Sequence, residues 1–106
     1  MSGRRVHERY ICELPIVLIH EGKELSGVAT NLSLGGMYVV TDASIAFGTT
    51  LRARFRLPAL KEDTECEVVI RWKKPDGVGA QFGSLRAKEV WGLNQLFKGL
   101  PTEPEH

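Results

Sequence analysis

Cysteine is scarce in this chain of 106 residues. Cys12 and Cys66 are the only two, too few for a disulfide framework. They predict reduced thiols and a cytoplasmic protein. Long apolar runs are also missing: none approaches the roughly 20 residues of a membrane helix, so no membrane insertion is expected. The N-terminus, MSGRRVHERY, has no apolar segment behind its arginines and does not read as a secretory signal. Charge of one sign is absent too. Lys and Arg number 14 against 13 Asp and Glu, a net charge of +1, which argues against a non-specific nucleic-acid binder. The histidines, His7, His20 and His106, are scattered, and no Cys-x-x-Cys or His-x-x-x-His pair offers a zinc site. A site assembled from both cysteines and nearby histidines is the one metal reading left. Ser33 lacks the Gly-x-Ser-x-Gly frame of a nucleophile and has no histidine placed to serve it. Neither an enzyme nor a cofactor is expected.

What is present is mostly β. Hydrophobic residues at 42% and charged residues at 25% suit one soluble domain with a single core. Tyr10–His20 is rich in β-branched and aromatic residues, ends in the turn Glu21-Gly22-Lys23-Glu24, and is followed by a second extended run, Leu25–Asn31. Met37–Thr41 is a short third strand. In Leu51–Leu57 the apolar Leu51, Ala53, Phe55 and Leu57 alternate with Arg52, Arg54 and Arg56, as in a half-buried strand. Cys66–Lys73 repeats the pattern, with Cys66, Val68, Ile70 and Trp72 on the inward parity. Pro75-Asp76-Gly77 is a turn leading into Val78–Phe82. From Arg86 to Lys98 the apolar spacing becomes helical, with Ser84 as the expected N-cap, Gly99 as the C-cap and Pro101 as a stop. Six strands and one helix predict a mainly β fold, a six-stranded antiparallel barrel closed by a C-terminal helix. A two-sheet sandwich is the alternative. The expected organisation is a flexible arm at 1–9, the barrel and helix at 10–99, and a mobile tail at 100–106.

Charge and polarity concentrate in three places. Arg52, Arg54 and Arg56 form a stripe that reads first as a solvated face balanced by Glu65 and Glu67, and second as a contact for a phosphate or an acidic partner. Arg4, Arg5 and Arg9 against Glu8 give residues 1–11 a charge of +2. In an extended chain Arg5 and Arg9 project to one side, about 13 Å apart at ~3.3 Å per residue, while Arg4 points the other way. Two such guanidinium forks suit the two ends of a flat, doubly anionic ligand, since each can bond a guanine edge or a phosphate. The third place is Asn31-Leu32-Ser33-Leu34-Gly35-Gly36. It is a turn by composition, but its paired glycines allow backbone N–H groups to approach an anion, and Asn31 and Ser33 add hydrogen-bonding groups.

An Arg-x-x-x-Arg, a gap of one hairpin, then Asn-x-Ser-x-Gly-Gly resembles the PilZ domain family. Val69-Ile70-Arg71-Trp72 and Gly79-Ala80-Gln81-Phe82 are similar to that family's last hairpin, and the final helix fits as well. The resemblance covers residues 4–98. It implies a six-stranded barrel and, as in many bacterial members, a receptor for cyclic di-GMP. Carried over, Arg5 and Arg9 clamp the ligand and Asn31 bonds a guanine edge, where aspartate is more usual. Ser33 bonds a phosphate or the neighbouring backbone, and Gly35 and Gly36 form the close-approach turn. Arg4 is the extra arginine that accompanies an intercalated ligand dimer. Trp72 lies where some members pack a residue on the ligand, although its parity places it in the core. The resemblance further implies that ligand orders the arginine arm over the Asn31–Gly36 loop and that the protein signals through a separate, unidentified effector, as a monomer or weak homodimer. The rival readings are a PilZ-like adaptor that binds no nucleotide and a small β-barrel that binds nucleic acid.

Overall fold

Glu21 and Gly22 both have positive φ, 53° and 80°, in the computed structural model, which describes residues 8–104. Positive φ at both central positions is the hairpin turn that matches strand twist, and it joins β1 (Tyr10–His20) to β2 (Lys23–Leu32). The chain continues through β3 (Gly36–Val40), β4 (Thr50–Phe55), β5 (Thr64–Lys74) and β6 (Gly77–Phe82) to α1 (Ala87–Phe97). Every strand pair is antiparallel, and the order β1-β2-β3-β6-β5-β4 closes through β4 on β1. The expected barrel is therefore the fold, and the sandwich alternative is set aside.

The period-2 pattern places the core. Ile16, Leu18, Val39, Leu51, Phe55, Val68, Ile70 and Val78 all point inward and are buried, joined by Leu93 and Phe97 of α1. The outward arginines are neutralised: Arg52 pairs with Glu65 at 3.1 Å, Arg54 with Glu24 at 3.0 Å and Arg56 with Asp63 at 3.7 Å. The stripe is a solvated, charge-balanced face, the first of its two readings.

Three details differ from expectation. The N-cap of α1 is Arg86, not Ser84. Arg86 N–H donates to Glu89 Oε1 at 2.9 Å, and its guanidinium Nε–H donates to Oε2 at 3.0 Å. The Arg86 contact holds the Glu89 carboxyl below the usual carboxylate range, and the pairing lets Glu89 be buried, as an unpaired carboxylate there would not be. At the other end Lys98 is the C-cap, and Gly99 comes after it without left-handed backbone, its N–H donating to the Leu96 carbonyl at 3.2 Å. Finally, Pro101–Glu103, expected within a mobile tail, run beside the root of the arm. Ile11 N–H donates to Pro101 O and Glu103 N–H to Arg9 O, both at 2.8 Å, and Tyr10 stacks on Phe97 with ring centroids 4.1 Å apart. Among the described residues no helix is long and apolar enough to cross a membrane.

Candidate ligand-binding cleft

Two irregularities in the barrel make the site. Ala29 is fully buried, and strict alternation would turn Asn31 inward with it. The β2–β3 register shifts between these residues, so Leu32 enters the core and Asn31 stays at the surface. A second shift interrupts β5–β6 pairing between Ile70 and Trp72. A bulge places two residues opposite one and re-aims the side chains beyond it. Ile70 is fully buried, yet Trp72 is 37% exposed on the outer face with Arg71 beside it. The inward parity of Trp72 is thus overturned by the bulge.

Asn31, Ser33, Arg71 and Trp72 line one cleft of about 390 Å³ together with Arg9, Gly35, Gly36, Met37, Ala80 and Gln81. The floor is the β3–β6 pair, in which Gly36 faces Gln81 and Met37 faces Ala80. Trp72 packs against β6 because Gly79 has no side chain: a Cβ there would come within 1.9 Å of the indole ring. Arg9 approaches from the root of β1, its guanidinium 5.9 Å from the centre of the Trp72 ring, a cation–π contact. Arg4 and Arg5 lie outside the described residues.

The Asn31–Gly36 loop is differently wired from a phosphate nest. Ser33 Oγ accepts the N–H of Gly35 at 3.0 Å and of Gly36 at 3.1 Å, and Ser33 N–H donates to Gly36 O at 2.8 Å. Gly35 O accepts the N–H of Phe82 at 2.9 Å, which ties the loop to the end of β6. These glycine N–H groups are spent on Ser33, so the serine serves the neighbouring backbone. Gly36 is needed because a Cβ would collide with the Ala80 carbonyl oxygen. Its closeness is to β6.

Charge in the cleft is of one sign. The described lining holds two arginines and no carboxylate. Four of the six described arginines, Arg52, Arg54, Arg56 and Arg86, pair with a carboxylate. The two that pair with none among the described residues are Arg9 and Arg71, both in the cleft. Arg71 Nε–H instead donates to the neutral Gln81 Oε1 at 2.7 Å. Asn31 lines the cleft and makes no side-chain hydrogen bond to another described residue, which leaves its amide donor and acceptor available. Two cationic forks, one amide and one flat indole suit a planar, anionic ligand.

Arg71 and Gln81 fall in the two segments that resemble the family's last hairpin, but nothing in the sequence marks either as a site residue. Gln81 could have been found from its outward parity on β6, but placing Arg71 beside Trp72 required the bulge. Burial pushes the Cys66 thiol up to about 11 and raises Cys12 as well, and neither lines the cleft. Among the described residues no three His, Cys, Asp or Glu side chains gather to hold a metal.

A family model described as the PilZ domain matches residues 3–98. The chain belongs to the PilZ domain family. Solved PilZ-domain structures share its fold. The Bacillus subtilis inhibitor of motility MotI/DgrA is 25% identical with a TM-score of 0.73 over 92% of this chain, which spans 50% of that protein. The PilZ domain of CeSA from a cellulose-synthesizing bacterium is 18% identical at TM-score 0.65, covering 86% of this chain and 95% of its own. The PilZ domain of Escherichia coli YcgR, solved with c-di-GMP, is 12% identical at TM-score 0.73, covering 92% of this chain and 91% of its own. No curated protein matches the sequence. In PilZ terms, Arg9 closes the Arg-x-x-x-Arg motif and Asn31–Gly36 is the second motif. In this chain the cleft joins them to the Trp72 bulge.

Proposed function

We propose that this PilZ domain is a receptor for cyclic di-GMP. The observation that carries the reading is the pairing pattern of the arginines: of those described, the two left without a carboxylate are the two that line the cleft. A ligand with two phosphates and two flat bases answers both features of that cleft. Arg9 forks to a phosphate or a guanine O6/N7 edge. Asn31 bonds a guanine edge through its amide, and Trp72 stacks on a base. Ser33 acts indirectly by holding the Gly35 and Gly36 amides and so the shape of the loop. Likeness to the YcgR PilZ domain, solved with c-di-GMP, supports the choice of nucleotide.

On this reading the ligand draws Arg5 across the cleft beside Arg9, and the arm then forms part of a changed outer surface. That surface addresses a separate effector protein. Arg4 adds a third guanidinium and favours two stacked ligands over one. Isothermal titration tests the proposal. Cyclic di-GMP should bind with a ratio near two per chain, cyclic di-AMP should not bind comparably, and Arg4→Ala should lower the ratio. No heat of binding for cyclic di-GMP would leave the non-binding adaptor as the reading. A steeply salt-dependent affinity for a random oligonucleotide would favour the nucleic-acid reading instead.

A further inference from the structure

We propose that Arg71 is a guanine-reading residue of this site, presented by the β5 bulge and positioned by Gln81. The inference rests on the cyclic di-GMP reading and deepens it. In an unbroken strand Arg71 and Trp72 would face opposite sides of the sheet. The register shift between Ile70 and Trp72 puts both on the outer face, at the same cleft. A base stacked on the Trp72 ring therefore has the Arg71 guanidinium as a chain neighbour of its stacking platform.

The guanidinium has one anchor. Its Nε–H donates to Gln81 Oε1 at 2.7 Å, and the Gln81 backbone is paired on both sides, with Gly36 of β3 and Val69 of β5. With Nε engaged, the Nη1 and Nη2 edge is left as a two-pronged donor. Guanine offers two acceptors, O6 and N7, to such a fork, whereas adenine offers N7 beside a donating amino group. A neutral amide anchors the fork without neutralising it, as a carboxylate would. The positive charge thus stays available to the ligand, and the geometry favours guanine over adenine.

The test titrates cyclic di-GMP into the full chain and into Arg9→Ala, Arg71→Ala, Arg71→Lys and Gln81→Leu, with thermal melts to confirm folding. Arg71→Ala should weaken binding roughly ten- to hundred-fold, and Arg71→Lys should weaken it nearly as much, because lysine keeps the charge and loses the fork. Gln81→Leu should weaken binding several-fold alone and add nothing in the Arg71→Ala background, the signature of a residue acting through its neighbour. Wild-type affinity in Arg71→Lys would mean a plain charge contact and overturn the guanine assignment. Loss of binding in Arg9→Ala with none in Arg71→Ala would overturn the inference and leave the receptor reading standing. A wild-type chain that binds no cyclic di-GMP would overturn both.

Discussion

The Arg9 guanidinium sits 5.9 Å from the centre of the Trp72 ring, so the end of the arginine motif and the bulge of β5 meet across the cleft although 63 positions separate them in sequence. The contact depends on Gly79, whose missing side chain lets the indole pack against β6.

Gly79→Ala should therefore displace Trp72. Forcing a methyl into a packed contact costs about 1–3 kcal/mol, so the thermal midpoint should fall while the barrel persists. Ligand affinity should fall with it. Tryptophan fluorescence in a Trp91→Phe background, which removes the other indole, would report whether the Trp72 environment has changed.

Ser33→Ala should act on the loop. It leaves the half-buried Gly35 and Gly36 amides without their shared acceptor, at a cost of about 1 kcal/mol, the low end for a buried donor that loses its partner. Stability and ligand affinity should drop together, with faster amide exchange at Gly35 and Gly36. Lost affinity with unchanged exchange would instead assign the hydroxyl to the ligand.

Acid should weaken the helix cap. The Glu89 carboxyl is held below its ordinary range by Arg86, so its stabilising contribution is complete above the unfolded-state value and is lost as pH falls through the lower folded value. Thermal midpoints measured downward from neutral pH should decline, and Glu89→Gln should be less stable at neutral pH with a shallower acid decline.

Much of this fold is legible in the sequence because alternation reports burial directly. Leu51, Ala53 and Phe55 against Arg52, Arg54 and Arg56 place β4 without further information, and the Glu21-Gly22 turn marks the β1–β2 hairpin. The site is harder to read because it is built where alternation breaks. Asn31 and Trp72 both reach the cleft through register shifts, and a bulge is set by pairing with a neighbouring strand rather than by local composition. Ser84 suits a cap by residue type, yet the Arg86–Glu89 pair two residues on makes a stronger one. The contact of Pro101–Glu103 with Arg9–Ile11 joins the segment after α1 to the start of β1 and has no periodic signature at all.

If the cationic cleft is a cyclic di-GMP site closed by the arginine motif, binding must depend on Arg9. Titration of cyclic di-GMP into wild type and Arg9→Ala, with cyclic di-AMP as the control, tests it most directly. Tight, guanine-selective binding in the wild type, weakened at least ten- to hundred-fold in a folded Arg9→Ala, is the result expected. Equal affinity in both proteins, or no selectivity between the two dinucleotides, would contradict it.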